Sequence, residues 1–573
     1  MNAIHTDYDP IRSAIKELKS YVIYAAIFSA SINLLMLTPI IYMLQVYDRV
    51  VSSGSMSTLT MLTLLMVALL AASGGFEWVR SRILISANIR LEDKLRDTVS
   101  RVAFKHTLLS GKADEGNLAM NDLLGLRQFV TGPGVFAFMD APWVPIYIFV
   151  MFLFHPYFAY AAMIAAGIMV GFAILTQKAT GESLEKANLL SQKANLSFIG
   201  KLRNAEVMEG MGMEANVRKK TNSLFNLASV EQSVASSKAG AITALSKSFR
   251  MIAQSLLLGL GAYLALVQEI SPGMMIAGSL LLGRALAPID LMVGTWKNFV
   301  TARNQFFRLQ TNLKKLPPNP ERMDLPSPSG ALSVENIIVI PPGSQAACVK
   351  GIAFSLNAGE ILGVIGPSAA GKTSLVRAIL GVWPLRSGTV RLDGADISQW
   401  DREALGPHLG YLPQDIELFD GSIAENICRF SQPNSDKIIK AAKTSGIHEM
   451  LLRLPNGYDT IIGPNFGALS AGQRQRLGLA RAIYDSPKLV ILDEPNSNLD
   501  DQGERELQAA IKQVKEQGST VIVVTHRTSI LGLVDKILLM REGLVADFGE
   551  RNQVLEALKN ASQKIAQLAP KRS

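Results

Sequence analysis

A glycine-rich segment in the C-terminal half has the residues and spacing of a phosphate-binding loop. Residues 366–374 read GPSAAGKTS and contain the pattern G-x-x-x-x-G-K-[ST]. The apolar run before it predicts a strand, and the segment after it has helical periodicity. Glycines let backbone N–H groups surround phosphate oxygens at the positive end of a helix. The candidate nucleotide-binding residues are Gly366, Pro367, Ser368, Ala369, Ala370, Gly371, Lys372, Thr373 and Ser374.

Within this loop, Lys372 is expected to reach the β- and γ-phosphates and Thr373 to bind Mg²⁺. A second apolar run, KLVILDEP, ends in two carboxylates. We expect Asp493 to hold Mg²⁺, directly or through water, and Glu494 to polarise the attacking water. Phosphoryl transfer mainly needs charge neutralisation and an aligned nucleophile, and these groups supply both.

Two further side chains follow predicted strands. His526 comes after VIVVT and is placed to contact the γ-phosphate, although a lone histidine after a strand is usually structural. Gln414 follows a short strand in YLPQD and is placed near the metal and the attacking water. The predicted catalytic residues are therefore Glu494, His526 and Gln414, and the predicted metal ligands are Thr373, Gln414 and Asp493.

The composition places these motifs in a chain that also carries a large apolar half. Of its 573 residues, 48% are hydrophobic and 18% are charged, and the length predicts two to four units. The two cysteines, Cys348 and Cys428, cannot form a disulfide framework and favour a reducing compartment. The six histidines show no metal-ligand spacing.

Six apolar runs in the first half are long enough to span a bilayer, for which about 20 residues are needed. They cover residues 21–45, 57–78, 135–154, 157–176, 251–268 and 274–295. The connecting segments 80–132 and 177–250 carry nine and eleven lysines and arginines, whereas the opposite loops carry almost none. The positive-inside rule then predicts that both termini and both long segments are cytoplasmic. This placement explains the net charge of +9 without nucleic acid.

The long segments show helical spacing, and they are predicted to continue the membrane helices, with tips near Leu123 and Met211. A solvated helical hairpin without a partner is the alternative. The proline-rich segment 315–330 predicts a linker, and alternating β-branched and helical stretches follow it. The predicted organisation is a cytoplasmic segment (1–20), a six-span domain (21–314), the linker (315–330), an α/β ATPase domain (331–560) and a basic tail (561–573).

The order and spacing of these motifs resemble the ATPase domain of ABC transporters. The matching segments are the phosphate-binding loop, Gln414, LSAGQ, ILDEP, NSNLD and His526, over about residues 331–560. The resemblance implies that the signature segment caps ATP bound to a second ATPase domain, with Ser470, Ala471, Gly472, Gln473 and Asp500 as further nucleotide-binding residues. The chain has one phosphate-binding loop and one signature, so the resemblance implies a homodimer that uses ATP and Mg²⁺.

The sequence departs from this family at two places. Ala471 stands where the signature usually has a glycine, but its N–H group remains available. An aromatic residue that stacks on adenine normally precedes the loop, and the corresponding stretch ENIIVIPPGSQ has none. Ile340 or Pro341 is then the candidate surface for adenine.

Six spans followed by an ATPase resemble the ABC exporter half-transporters, which implies a six-helix α transmembrane domain followed by an α/β P-loop ATPase domain. Residues 39–65 and 286–309 and the PPGS segment resemble type I secretion ATPases. The roughly 20 residues before the first span are too few for an N-terminal peptidase-like domain, which favours the protease, lipase and haemophore exporters.

This resemblance implies an ATP-driven exporter in a bacterial inner membrane. Its partners would be a periplasmic membrane-fusion adaptor, an outer-membrane channel and membrane lipid, and its cargo an unfolded protein with an uncleaved C-terminal signal. A half-exporter of lipid or a small amphiphile remains the alternative, since it shares every ATPase motif. A scaffold that binds ATP without turnover is a third possibility, which intact Glu494 and His526 disfavour.

Ionisable residues inside the spans are costly, and they usually face the bundle or a wet cavity. Asp140, Arg284 and Asp290 are the candidates here. Arg284 has two open interpretations: it lines the translocation path, or it pairs structurally with Asp290.

Overall fold

The computed structural model describes residues 10–110, 113–202, 204–314, 325–463 and 469–568. The predicted linker is thus described only from residue 325, and the N-terminal segment and basic tail only in part. The chain divides near residue 318 into an N-terminal helical unit and a C-terminal α/β unit.

The N-terminal unit is built from helices, several of them much longer than a bilayer is thick. They are α1 (Pro10–Glu17), α2 (Lys19–Leu35), α3 (Thr38–Gln45), α4 (Val51–Ser53), α5 (Met56–Ser110), α6 (Ala113–Val130), α7 (Pro133–Asp140), α8 (Val144–Phe154), α9 (Pro156–Leu202), α10 (Ala205–Gly210), α11 (Glu214–Leu266) and α12 (Pro272–Lys314). A π-helical turn, Val46–Val50, joins α3 to α4, and a 3₁₀ turn, Ala141–Trp143, joins α7 to α8.

Within the described residues, six helical segments are long and apolar enough to cross a membrane. They are Lys19–Ser53, Met56–Ser110, Pro133–Phe154, Pro156–Leu202, Glu214–Leu266 and Pro272–Lys314. The prediction of a six-helix transmembrane domain is therefore confirmed. His155 adopts an extended conformation before Pro156, because the proline disfavours a helical residue in front of it.

Two predicted spans are interrupted. The first breaks after Leu35, since Pro39 in the first turn of α3 cannot donate the backbone hydrogen bond that a continuous helix needs. The third is broken by the 3₁₀ turn that contains Pro142. Asp140 lies at this second break, at the end of α7.

The ionisable residues of the spans have specific partners. Asp140 accepts hydrogen bonds from Ser29, from Asn33 at 2.8 Å and from Arg80 at 3.1 Å, and Arg80 is only 4% exposed. This network ties α2 and α5 to α7, which is a structural role.

Asp290 pairs with a residue that the sequence did not indicate. Its carboxylate lies 3.3 Å from Arg250 on α11 and accepts a hydrogen bond from Ser246 at 3.0 Å. The interpretation that Arg284 pairs with Asp290 is therefore wrong. The two positions are six residues apart on one helix and lie on different faces, whereas α11 packs along α12.

One expected loop tip is also misplaced. Leu123 lies inside α6, is 3% exposed and packs with Leu95 and Leu309, so the expectation that it marks a tip is wrong. Met211 follows α10 and is 70% exposed, in agreement with a tip at that position.

The C-terminal unit alternates strands with helices. Its strands are β1 (Leu332–Val339), β2 (Val349–Leu356), β3 (Ile361–Ile365), β4 (Ser387–Leu392), β5 (Ala395–Asp396), β6 (Leu409–Leu412), β7 (Gly421–Ser422), β8 (Ile461–Ile462), β9 (Leu489–Asp493), β10 (Thr520–Val524), β11 (Lys536–Arg541) and β12 (Leu544–Glu550). Its helices are α13 (Lys372–Ile379), α14 (Arg402–Leu405), α15 (Ile423–Ile427), α16 (Ser435–Thr444), α17 (His448–Leu452), α18 (Ala471–Ile483), α19 (Asp501–Glu516), α20 (Thr528–Leu531) and α21 (Arg551–Leu568).

The central sheet has six strands in the order β12-β11-β3-β10-β9-β6, and β11, β3, β10, β9 and β6 run parallel. Both faces of this sheet are covered. Val490 and Leu492 of β9 face one hydrophobic core, and Leu489 and Ile491 face the other. A strand buried on both faces reads as a continuous apolar run, which is how β9 and β10 appear in the sequence.

Candidate nucleotide site

The site forms where four neighbouring parallel strands end. The phosphate-binding loop follows β3, His526 follows β10, Asp493 ends β9, and Gln414 follows β6. Since β3, β10, β9 and β6 are adjacent and parallel, their carboxyl ends meet at one edge of the sheet. The fold thus brings together residues that lie up to 160 positions apart.

The loop backbone has conformations that require glycine at two places. Gly366 has a φ of 151°, and a Cβ atom there would lie 2.2 Å from the carbonyl oxygen of Met540. Gly371 has a φ of 95° and directly precedes α13, so the helix begins where its free N–H groups can face a phosphate.

Lys372 lies inside this loop. Its ammonium group donates hydrogen bonds to the carbonyl oxygens of Gly366 at 2.8 Å and Pro367 at 3.0 Å. Burial lowers the pKa of Lys372, while the carboxylates of Glu494 and Asp493 oppose that shift. The ammonium is thus held at the loop, where phosphate oxygens can replace the carbonyl oxygens as its partners.

Asp493 is a buried carboxylate. It is 0% exposed, and neither of its oxygens has a hydrogen-bond partner that meets normal geometry. Burial raises its pKa, and Glu494 acts in the same direction. The Thr373 hydroxyl, Arg377 and Lys372 favour the ionised form. Such an arrangement is costly unless a cation compensates the charge.

These residues fit a magnesium ion. Mg²⁺ is usually bound by one or two protein oxygens together with substrate phosphates and waters. Asp493 offers an unsatisfied buried carboxylate beside the Thr373 hydroxyl, which is the required donor set. No cluster of three or more His, Cys, Asp or Glu side chains with metal-binding geometry occurs among the described residues.

Glu494 is held between the two other predicted catalytic residues. Its carboxylate accepts a hydrogen bond from the amide of Gln414 at 3.0 Å, and its other oxygen lies 3.4 Å from Nε2 of His526. The backbone of Glu494 has a φ of 50°, a left-handed conformation that is unusual for a residue with a side chain. The structure therefore brings Gln414, Glu494 and His526 together.

The signature residues form a separate surface. Ser470 caps α18: its hydroxyl accepts a hydrogen bond from the N–H group of Gln473 at 3.3 Å, and the Gln473 side chain accepts one from the N–H group of Ser470 at 2.8 Å. A depression in front of this helix end is lined by Ser470, Gly472, Gln473 and Asp500, and by no residue of the segment 366–374. The signature thus lies apart from the phosphate-binding loop of the same chain.

Two residues of this depression were not singled out from the sequence. Arg476 lies 3.1 Å from Glu506 and 3.7 Å from Asp500, and Asn498 also lines the depression. Arg476 lies on α18 three positions beyond the LSAGQ segment, and Asn498 stands within NSNLD. Their roles depend on the packing of α18 against the segment before α19, which no local pattern encodes.

The chain matches two protein families. Residues 349–497 match the family described as ABC transporter, and residues 21–287 match the ABC transporter transmembrane region.

Individual relatives extend this match over nearly the whole chain. The type I secretion system ATP-binding protein PrsD of Rhizobium meliloti is 44% identical over 95% of this chain and 94% of its own length. The cyclolysin secretion/processing ATP-binding protein CyaB of Bordetella pertussis is 25% identical over 91% of this chain and 74% of its own length.

A solved structure of a bacterial Atm1-family ABC exporter with ATP bound has the same fold. It superposes with a TM-score of 0.83, covers 97% of this chain and 99% of that one, and is 19% identical. At this level of identity the likeness shows the fold alone.

Proposed function

Since the chain belongs to the ABC transporter family, alongside the ATP-binding proteins of type I secretion systems, we propose that it hydrolyses ATP to export protein across the bacterial inner membrane. The six membrane-spanning helices and the α/β ATPase unit supply the two parts that this activity needs. The observation that carries the proposal is the Glu494 carboxylate, held between Gln414 and His526 at the strand edge that bears the phosphate-binding loop.

In this mechanism the loop binds the phosphates through its N–H groups and Lys372. Glu494 accepts a proton from the attacking water, and Gln414 and His526 hold that carboxylate in position. Mg²⁺ bound by Asp493 and Thr373 would neutralise charge on the phosphate oxygens.

We infer that the working unit is a homodimer. The depression at Ser470 is lined by no residue of the chain's own phosphate-binding loop. Each chain has one phosphate-binding loop and one signature segment. In a dimer, the depression on one copy would close over ATP bound by the other, with a helix N-terminus directed at its phosphates. Ala471 keeps the N–H group that this contact needs.

The proposed topology places both termini and the ATPase unit in the cytoplasm, because the lysine- and arginine-rich segments lie between alternate spans. The proposed cargo is an unfolded protein with an uncleaved C-terminal signal. It would leave through a periplasmic membrane-fusion adaptor and an outer-membrane channel. The sequence identity of 44% between this chain and PrsD, which extends over 95% of this chain, supports this assignment.

The test is the ATPase activity of the purified protein in lipid nanodiscs, with and without the C-terminal segment of a secreted protein encoded nearby. We expect a dose-dependent change in turnover that is absent with a scrambled segment and in Glu494→Gln. Stimulation by a lipid or amphiphile, with no response to the segment, would instead identify a half-exporter of small molecules. Absence of any turnover would identify an ATP-binding scaffold.

A further inference from the structure

The N-terminal unit contains an open cavity of about 460 Å³ between the end of α6, the start of α7, α9 and α12. This volume lies within the range of roughly 300–1,000 Å³ that is typical of ligand sites. We call it the amide cavity, because polar side chains dominate one wall and four of them are carboxamides. The polar lining residues are Gln128, Asn188, Lys297, Asn298, Thr301 and Gln305.

Most of these side chains form one stripe along α12. Lys297, Thr301 and Gln305 follow one another at intervals of four residues, and Asn298 precedes Thr301 by three. Residues at these intervals lie on the same face of a helix. The stripe is therefore a single polar edge that faces Gln128 and Asn188 across the cavity.

The carboxamides are not used within the described part of the chain. Gln128, Asn188, Asn298 and Gln305 make no hydrogen bond to another described residue, in contrast to the amides of Asn33, Gln414 and Gln475, which are all bonded. The cavity has one cation, Lys297, and no acidic side chain in its lining. It thus presents free donors and acceptors in a concave surface with little net charge.

This chemistry matches the main chain of an extended polypeptide. A carboxamide both donates and accepts hydrogen bonds, as a peptide group does. One helical turn from Thr301 to Gln305 advances about 6 Å along α12. Two residues of an extended chain advance about 6.6 Å, so successive polar groups of the stripe can meet every second peptide group.

We propose that the amide cavity receives an extended segment of the exported polypeptide and binds its main chain rather than particular side chains. This inference rests on the proposed function, since it takes the cargo to be an unfolded protein. Segments 80–132 and 177–250, which include Gln128 and Asn188, are the ones assigned to the cytoplasm by charge, where such a cargo would arrive. Main-chain recognition lets one site accept every segment of a chain that passes through it.

The test uses the full-length transporter in nanodiscs and a fluorescent probe, reduced and carboxamidomethylated α-lactalbumin, which cannot refold. Fluorescence anisotropy measures its dissociation constant in wild type, in the double variant Asn188→Leu/Asn298→Leu, and in Asn195→Leu. Asn195 is an exposed carboxamide on α9, two turns beyond Asn188, that does not line the cavity. We expect the double variant to bind about tenfold more weakly, the effect of losing two ordinary hydrogen-bonding groups, and Asn195→Leu to bind as wild type does.

Basal ATPase activity verifies the fold, because none of the substituted residues belongs to the nucleotide site. A photoreactive amino acid placed at Thr301 should also crosslink to the unfolded probe, and one placed at Asn195 should not. This second measurement locates the probe without depending on the leucine variants.

Three results would overturn the proposal. They are equal affinity in wild type and the double variant, equal binding of native α-lactalbumin, and a loss of probe affinity in the single variant Lys297→Met as large as that in the double variant. The last result would indicate that acidic side chains of the probe, and not its main chain, are recognised. Failure of the proposed function would give a different result. In that case the wild-type ATPase ignores the cargo segment, whereas failure of the amide cavity leaves that response intact and unchanged in the double variant.

Discussion

Replacing Asp493 with asparagine is expected to raise the thermal stability of the nucleotide-free ATPase unit while abolishing turnover. Asp493 is 0% exposed, and neither carboxylate oxygen has a hydrogen-bond partner with normal geometry, so its charge is poorly compensated without a metal. Asparagine has nearly the same shape and no charge, so it removes most of that cost. The same substitution removes the carboxylate proposed to hold Mg²⁺.

The size of the effect follows from the burial. An unsatisfied buried polar group costs about 1–3 kcal/mol, and more when it is charged. Asparagine leaves some polar atoms unpaired, which offsets part of the gain. For a unit of about 250 residues, 1 kcal/mol shifts the midpoint by roughly 2–4 °C, so we expect a rise of about 2–10 °C.

The pH dependence has a definite sign. Burial raises the pKa of Asp493 in the folded protein above its ordinary value of 3.8. At pH values between the ordinary pKa and the raised pKa, the folded state binds more protons than the unfolded state. The stability of wild type therefore falls as the pH rises through this range. Above this pH range the charged Asp493 destabilises the folded state by the full cost of its burial. The advantage of Asp493→Asn is therefore greatest at pH 8 and shrinks as the pH falls.

The assay is scanning calorimetry of the full-length protein in nanodiscs with EDTA and no nucleotide, from pH 8 to pH 5. Adding Mg²⁺ and ATP should then stabilise wild type far more than the variant, since a ligand that binds only the folded state adds to its stability. A lower midpoint for Asp493→Asn than for wild type at pH 8 would refute the reasoning. A difference in midpoint between Asp493→Asn and wild type that grows as the pH falls would also refute it.

Four other substitutions test three separate parts of the structure. Gly366→Ala should abolish ATP binding, measured by fluorescent nucleotide titration, because its Cβ atom would lie 2.2 Å from the carbonyl oxygen of Met540; normal affinity would contradict that geometry. Ser470→Arg should stop steady-state hydrolysis but leave ATP binding intact, and loss of binding would mean that the site is not shared between two chains. Arg308→Met should lower the free energy of unfolding by about 3 kcal/mol, because Asp122, its partner at 2.6 Å, is 4% exposed and would stay buried without compensation. Asp122→Asn should cost only about 1 kcal/mol, because Arg308 is 40% exposed and can turn to water; thermal unfolding that ranks the pair in the opposite order would refute this account.

Local patterns in the sequence predict those parts of this protein that depend on one segment at a time. Six apolar runs predict six spans because a bilayer requires a length of hydrophobic chain, whatever the neighbours are. The strands β9 and β10 are continuous apolar runs because both of their faces are buried. The phosphate-binding loop is recognisable because glycines, a lysine and a threonine within eight residues perform its chemistry together.

Contacts between residues that are distant in the sequence depend on the packing of the elements against one another. Asp290 pairs with Arg250 and not with Arg284, because the packing of α11 against α12 selects the partner. Glu494 contacts both Gln414 and His526 only because β6, β9 and β10 are neighbours in the sheet. The carboxamides of the amide cavity lie on three different helices, and no periodicity relates them. Spacing along a chain specifies one helix or strand at a time, whereas contacts between elements depend on how their buried faces fit together.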